Sequence, residues 1–472
     1  MKRTSRSASL LIFLCAACEV SLLAADRNIV LVVTDDQSPD AGCYGNEVLQ
    51  TPNLDALAAD GIRFDQAYCT TASCSASRSV ILSGLHNHAT AQYGHQHGYH
   101  HFRTYERIQT LPVRLKAAGY RTARVGKFHV GPEEVYRFDQ ALSGSGRSPV
   151  EMAENCRDFV SAPDDHPFFL YYCTSDPHRS GGVDDSSPHK PNRFGNRPEG
   201  YRGVTEMTYS PSEVHVHEFL PDTPVCRAEL AQYYQSVSRV DQGLGRLVDI
   251  LKQADAYDNT LIVFTSDHGI AFPGGKTTLY DGGMHIPLVV RAPSQEKRGI
   301  QTTAMVSLVD VTPTLLDFAG VWEGGEAEFH GRSFLGILEP GQSNGWDEVH
   351  ASHTFHEITM YYPMRVVRTR DHKLIWNIAH ALPYPFASDL WAAPTWQDIF
   401  RQGPDALYGK RTVDQYIHRA EFELYDLNED PDEVVNLADD PRHAELLATL
   451  KQKLKTFQDE TDDPWILKWD YE

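Results

Sequence analysis

Four short polar clusters stand out because each joins residues suited to acid, base or metal chemistry. TDDQ carries Asp35 and Asp36, GKFH carries Lys127 and His129, SDPHR carries His178, and TSDHG carries Asp267 and His268. Burying several unpaired carboxylates is costly, so Asp35, Asp36 and Asp267 as a set point to a hard divalent cation, whereas any one of them alone reads more simply as a solvated loop acid. An oxyanion held beside such a cation needs positive donors, which Lys127 and Lys276 (in FPGGKTTLYDGG) can supply. Among the histidines, one could protonate a leaving group while another acts as base. A lone cysteine, Cys74, lies in TASCSASRSV four residues before Arg78. By residue type it is either a thiol nucleophile with a pKa lowered by the neighbouring cation or a buried structural cysteine. A helix starting there would also suit an anion.

The elements that precede these clusters decide whether they meet. NIVLVVT, residues 28–34, has the β-branched density of a strand buried on both faces and stops at Asp35-Asp36. PFFLYYCTSDPH and NTLIVFTSDHG repeat that pattern, and IPLVVRAP reads as a further inner strand. Helical patterns lie between them at 51–59, 108–118, 227–254 and 310–319. Such alternation predicts an α/β fold, a large mostly parallel sheet with helices on both faces, and in such sheets ligands bind at the carboxyl ends of the strands. After EPGQSNGW the texture changes: HKLIWNI and EFELYDLNEDPDEVVNLA read as strands and 443–459 as an amphipathic helix. The expected organisation is a catalytic domain over 26–340 and a smaller C-terminal α+β subdomain with an antiparallel sheet over 346–472. No internal repeat is present, and the one biased stretch is HQHGYHH, residues 95–101.

The formal net charge of −21 over 472 residues argues against nucleic acid or a polybasic membrane contact. It also means that an anionic substrate must be held by positive charge gathered locally, which favours a chain end or a small molecule. The N-terminus MKRTSRSASLLIFLCAACEVSLLAAD places Lys2, Arg3 and Arg6 before an apolar run and small residues, the order of a secretory signal over residues 1–25. CAAC, ending at Cys18, resembles a degraded lipoprotein box with Cys15 in place of an aliphatic residue, so lipid anchoring is the lesser reading. No later run is long enough for a membrane span. The expectation is an exported protein of a bacterial periplasm or outer surface. Six cysteines remain after the signal, without metal-type spacing, and one or two disulfides stay open.

CSASR followed by SVILSG resembles the sulfatase signature, in which the cysteine is oxidised to formylglycine. TDDQ, GKFH, DPH, SDHG and the lysine before TLYDGG resemble the other sulfatase blocks in the same order, and the likeness covers most of residues 27–470. It implies an alkaline-phosphatase-like fold. Further blocks, YHHF, GKFHVGPEEVYRFD, PFFLYYCTSDPHR, RVDQGLG, HEITMYYPMR and the late DPW, are similar to the N-sulfoglucosamine sulfohydrolase (sulfamidase) branch.

What the resemblance implies is a mechanism and a set of roles. One oxygen of the hydrated aldehyde at Cys74 would attack sulfur, with Arg78 and Lys127 steadying the hydrate. His178 would protonate the departing atom, Lys276 would hold sulfuryl oxygens, and His129 would deprotonate the second hydroxyl to expel sulfate. Asp35, Asp36, Cys74, Asp267 and His268 fall on the metal positions, for one divalent cation, Ca2+ or else Mg2+. His101, His356 and Glu357 lie in the sulfamidase-like blocks and are candidates for sugar contact; His356 and Glu357 could equally pin the C-terminal part.

Three positions depart from the pattern. Ala76 replaces the usual proline of the signature, which leaves the maturing enzyme open. His268 stands where sulfamidase has asparagine, and a nitrogen ligand is poorer for calcium. Lys276 stands where sulfamidase has arginine and offers a point charge in place of a planar fork. The resemblance implies removal of N-linked sulfate from terminal N-sulfoglucosamine of heparan-type glycans. The alternatives are an O-sulfatase on another sulfated sugar, a formylglycine-dependent phosphodiesterase or phosphonate hydrolase, and a non-catalytic binder of sulfated glycan. Partners would be the saccharide and a sulfatase-maturing enzyme, with a homodimer left open.

Overall fold

Asn28–Thr34 form strand β1, and all seven residues are buried. Their side chains alternate between two cores: Ile29, Leu31 and Val33 enter one, Val30 and Val32 the other. That is the pattern of a central strand covered on both faces. The protein is described here by a computed structural model covering residues 27–179, 193–293, 295–322, 328–339 and 343–470; the signal and lipoprotein readings of residues 1–25 lie outside the described residues.

β1 sits in an eight-stranded sheet with β2 (Ile62–Tyr68), β3 (Arg121–Gly126), β4 (Gln140–Leu142), β5 (Phe168–Cys173), β6 (Thr260–Ser266), β7 (Leu288–Arg291) and β8 (Ile300–Ser307). The order is β4-β3-β5-β1-β6-β7-β2-β8. Every pairing is parallel except those of β7, which runs against β6 and β2. The reason lies in the connection. The chain leaves β6 at its carboxyl end and turns back through residues 267–287, so that Leu288 pairs with Thr265 and β7 starts at the rim where β6 stopped. One face of the sheet is covered by the C-terminal half of the long helix Pro224–Gln253, through Val240, Leu244, Leu247 and Leu251. The other is covered by Ile81 and Leu82, Leu111 and Leu115, and Leu315 and Leu316 of three shorter helices. The expected mostly parallel sheet with helices on both faces is thus what forms.

The second sheet is antiparallel throughout: Phe422–Asp426, then β11 (His372–Asn377), β10 (Met364–Thr369) and β9 (Glu348–His353). One of its faces, with Met364, Val366 and Ile375, merges into the larger core. The other, with Val367, Leu374, Trp376 and Leu424, packs on Leu450, Leu454 and Phe457 of the helix Ala444–Glu460. Among the described residues the six cysteines are all unpaired, five of them buried.

A buried ion pair fastens the end of the chain to this sheet. Arg365 Nη2 donates to Asp463 Oδ1 at 2.8 Å, with neither side chain exposed, and the guanidinium lies over the Trp465 ring at 4.9 Å. Two of the sulfamidase-like blocks, HEITMYYPMR and DPW, therefore meet through structural contacts. Burial opposes ionisation of Asp463, but Arg365 outweighs it and holds the carboxyl well below the usual range. Asp463→Asn leaves a buried guanidinium without its counter-charge and should cost about 3–5 kcal/mol, read as a lowered Tm at neutral pH. Because the folded-state pKa is depressed, this stabilisation is complete above about pH 4 and fades as pH falls. The Tm gap between wild type and variant should therefore narrow in acid; a gap that widened would contradict the assignment.

Candidate active site

Five segments meet at the carboxyl rim of the large sheet. The neighbouring parallel strands β3, β5, β1 and β6 end at Lys127–His129, Asp176–His178, Asp35–Asp36 and Asp267–His268 respectively. The fifth segment follows β2 and opens the helix Cys74–Ser83, with Cys74 in its first turn. All ten residues of that helix are buried, although four are serines and one is arginine. Its polarity is satisfied internally: Ser77 Oγ donates to the Asp267 carbonyl at 2.5 Å, Ser79 pairs with Thr90 at 2.9 Å and Ser83 Oγ donates to the Ser79 carbonyl at 2.7 Å. Gly84 ends the helix at φ 69°, where a side chain would strike Phe329 at 2.7 Å.

The charges are arranged as a lattice largely closed to solvent. Arg78, with no exposure, donates from Nε to Asp267 Oδ2 at 2.9 Å and from Nη2 to Asp35 Oδ1 at 3.3 Å. Lys127 Nζ grips both Asp35 oxygens, at 2.8 and 2.6 Å. Lys276 Nζ lies 3.1 Å from Asp36 Oδ2 and 2.9 Å from Asp389 Oδ2. Asp36 adopts a left-handed backbone, φ 61°, which lets its own N–H donate to Asp267 Oδ1 at 3.0 Å. Burial works against ionised Asp35 and Asp36, yet the adjoining lysines and histidines hold both carboxyls well below the usual range. Asp267 differs: burial pushes its pKa up against the pull of Arg78.

Cys74 Sγ lies 3.3 Å from His268 Nε2 and 3.7 Å from Asp36 Oδ1. His268 Nε2 is also 3.0 Å from Asp36 Oδ1. Ligand atoms of Asp36, Cys74 and His268 lie within 4.8 Å of one another, as do those of Asp35, Cys74 and Asp267. The five expected metal positions therefore converge, and their donor set, three buried carboxylates with one imidazole, fits a divalent cation. The reading of Cys74 as a low-pKa thiol does not hold. Its burial outweighs Lys127 and Lys276 and raises the thiol pKa, so the native side chain is a poor thiolate.

The two candidate proton carriers sit in contrasting surroundings. His178 Nδ1 meets Asp36 Oδ2 at 2.6 Å, which fixes the ring and leaves Nε2 as the atom open to a leaving group. His129, with φ 59°, has both ring nitrogens buried and no hydrogen-bond partner for either. Burial, with Lys127 and the neighbouring histidines, keeps His129 neutral, its pKa well below the ordinary value.

The three sugar-contact candidates separate. His101 is exposed and is not brought to the cluster. His356 is buried against the segment that precedes Cys74, with Nδ1 3.0 Å from Ser73 Oγ and Nε2 2.9 Å from His95 Nε2. Glu357 Oε1 accepts from Ser388 N at 2.9 Å and Ser388 Oγ at 2.6 Å, holding the short helix Ser388–Trp391. That helix carries Asp389, the second anchor of Lys276, which the sequence reading missed. An isolated aspartate in FASDLW has no motif around it. Asp176, read above only as part of DPH, is paired with Arg147 at 2.6 Å and Arg239 at 2.7 Å. Arg239 and Asp241, whose Oδ1 accepts from the Leu54 N–H at 2.8 Å, show that RVDQGLG builds the scaffold.

Above the rim opens a cavity of about 800 Å³ lined by Asp35, Lys127, His129, Arg147, His178 and Arg197, among others. Positive groups thus gather where an anion would enter, in a chain of net charge −21. A larger cavity of about 970 Å³, lined by His86, Trp322, His330, Trp346 and His350, contains none of the converging carboxylates and lysines.

Residues 27–321 match the sulfatase family, and residues 271–387 match the family segment described as N-sulphoglucosamine sulphohydrolase, C-terminal. The chain belongs to the sulfatase family. This sulfatase is a hydrolase acting on sulfate esters or sulfamates, and the family generally uses formylglycine and a divalent cation. It is 40% identical over 465 residues to the N-sulphoglucosamine sulphohydrolase of Homo sapiens, covering 94% of this chain and 92% of that one. It is 27% identical to the N-acetylglucosamine-6-O-sulfatase of Bacteroides thetaiotaomicron, over 92% of this chain and 88% of the relative. Among solved structures, BT4656 in complex with its substrate D-glucosamine-2-N,6-O-disulfate superposes with a TM-score of 0.67 at 22% identity, covering 93% of this chain and 99% of that one. No helix among the described residues is long and apolar enough to cross a membrane.

If Asp389 positions Lys276, Asp389→Ala should lower kcat for sulfate release by roughly 10²-fold through misplacement of that charge. Thermal denaturation of the same variant should change little, because the carboxylate is partly solvated, at 20% exposed. Unchanged kinetics would reduce Asp389 to a bystander.

Proposed function

We propose that this sulfatase is exported and removes N-linked sulfate from a terminal N-sulfoglucosamine of heparan-type glycans. The observation that carries the reading is the convergence of Cys74, three buried carboxylates and His268 beneath a positively lined cavity, with a fixed His178 and a neutral His129 beside it. The 40% identity to the human N-sulphoglucosamine sulphohydrolase over nearly the whole of both chains supports the choice of leaving group.

Asp35, Asp36, Asp267 and His268 would hold one divalent cation, Ca2+ by its three carboxylates, with Mg2+ the alternative because the nitrogen ligand is poorer for calcium. Oxidised to formylglycine, the Cys74 side chain would supply an oxygen nucleophile, and the cation would draw charge from the sulfuryl oxygens. The chain's own residues do the rest. Arg78 fixes Asp35 and Asp267 relative to the helix that carries position 74. Lys276 directs its ammonium toward developing oxyanion charge while Asp36 and Asp389 hold it ionised. His178 Nε2 delivers a proton to the departing nitrogen, with Nδ1 anchored on Asp36. His129, neutral and unpartnered, takes the proton that must leave for sulfate to depart.

An O-sulfatase is the second reading, favoured by Lys276, a point charge suited to ordinary sulfate esters. Two measurements decide. Mass spectrometry of the Cys74 peptide, from cells containing a sulfatase-maturing enzyme, should show thiol replaced by aldehyde; a wholly unmodified cysteine in native protein would falsify the catalytic role. Sulfate release should be faster from N-sulfoglucosamine than from 6-O-sulfated N-acetylglucosamine, and the reverse order would replace the sulfamidase reading by the ester one. His178→Ala and His129→Ala should each lower kcat by roughly 10²–10⁴-fold. Chelation should abolish turnover, and added Ca2+ should restore it.

A further inference from the structure

The His-rich stretch at 95–101 is left over once these roles are assigned, and the structure folds part of it back onto the site. His95, His97 and His129 each offer a ring nitrogen within 4.8 Å of the other two. Their ring centroids are 4.8 Å apart for His95 and His97, 4.5 Å for His97 and His129, and 4.8 Å for His95 and His129. The loop that presents them is built. His95 N donates to the His356 carbonyl at 2.9 Å, Gln96 N to Ser75 Oγ at 3.2 Å, and Phe102 N to the His95 carbonyl at 3.1 Å.

Two features separate this trio from a plain stack of rings. His129 has both nitrogens shielded from solvent and bonded to nothing, an arrangement that costs free energy unless something binds there. His95 Nε2 engages His356 Nε2 at 2.9 Å, and in the tautomer in which it donates there, as the outer nitrogen of a metal-binding histidine does, Nδ1, with only Ser75 Oγ at 3.5 Å, keeps its lone pair for a metal. Burial of His95 and His129, and partial desolvation of His97, together with Lys127 beside all three, lower each imidazole pKa and favour the neutral form that ligates. His97 is exposed and lines the cavity together with His129, so the trio opens toward the space where substrate would enter.

We propose that His95, His97 and His129 form a second metal site, for a borderline cation such as Zn2+, separate from the oxygen-rich site of Asp35, Asp36 and Asp267. Three neutral nitrogens with a fourth position open to the cavity suit Zn2+ or Co2+ and disfavour Ca2+ and Mg2+. Coordination commits a lone pair of His129 to the metal, so that this ring no longer accepts a proton. Resting on the function proposed above, the consequence is that Zn2+ inhibits the enzyme while Ca2+ supports it.

The test uses Co2+ as a spectroscopic stand-in for Zn2+, added to the full chain in excess Ca2+. About one equivalent should generate the intense visible d–d absorption of a four-coordinate site. The band should persist in Cys74→Ala, which removes the thiol of the neighbouring site, and weaken in His97→Gln, with affinity down at least about tenfold. His97 is exposed, so that substitution leaves the core intact, and circular dichroism confirms the fold. No band, or one undiminished in His97→Gln, overturns the site. In turnover assays Zn2+ should inhibit the wild type at concentrations at least about tenfold below those needed for His97→Gln; equal sensitivity overturns the inhibitory role. A protein inert toward every sulfated substrate would count against the proposed function, and the Co2+ spectrum would still decide the metal site.

Discussion

Everything at the rim depends on one guanidinium that never meets water. Arg78 spans Asp35 and Asp267, and through Nη2 and Nη1 it also reaches the carbonyls of Thr34 and Lys127, each at 3.4 Å. It therefore ties the ends of β1, β6 and β3 to the helix that begins at Cys74. Cys74 and Arg78 are four residues apart, on the same helix face, so fixing the arginine fixes the cysteine. A lysine could not replace it, because one ammonium cannot satisfy two carboxylates and two carbonyls in separate directions. Burying such a charge is expensive, and removing either carboxylate would leave it uncompensated, so the cluster stands or falls as a unit.

That unit explains why the site tolerates so much buried charge. Asp35, Asp36 and Asp267 face Arg78, Lys127 and Lys276, a balance of signs among side chains that are almost all inaccessible. Each lysine is shared between a strand end and something else: Lys127 on β3 with Asp35 on β1, Lys276 with Asp36 and with Asp389 from the C-terminal part of the chain. The cavity above the rim adds two further guanidiniums, Arg147 and Arg197, beside Lys127. A polyanion is repelled by the surface of this protein and admitted only where the cations are concentrated.

The strands that carry the site were legible because they are the ones buried on both faces. β1, β5 and β6 are continuous apolar runs, and the acids and histidines at their ends announced the rim. β3 was not legible: RTARVG includes two arginines that lie over aromatic rings at the edge of the core, Arg121 on Phe159 and Arg124 on Phe128. β8 begins with IQTT, half exposed, and β2 mixes Arg63, Asp65 and Gln66 into its run. The reversed direction of β7 resides in the connection before it, which residue types do not encode. His356 and Glu357 were ambiguous between sugar contact and scaffold because each reaches a partner far away in sequence, Ser73 in one case and Ser388 in the other.

Glu357 and Asp389 show how the C-terminal region reaches the charge cluster without supplying a motif. Glu357 caps the first residues of the helix Ser388–Trp391, and that helix sets Asp389 against Lys276. On the other side, Thr277 N donates to the Ala72 carbonyl at 2.9 Å, and Tyr384 donates to the Thr277 carbonyl at 2.7 Å. Lys276 is thereby held by a loop clamped between the segment before Cys74 and the C-terminal part. Thr277 accepts a left-handed backbone, φ 68°, to make both contacts. A flexible ammonium on a four-carbon stem has no directional preference of its own. Its orientation here is imposed from outside, by one carboxylate from the strand rim and one from the other end of the chain.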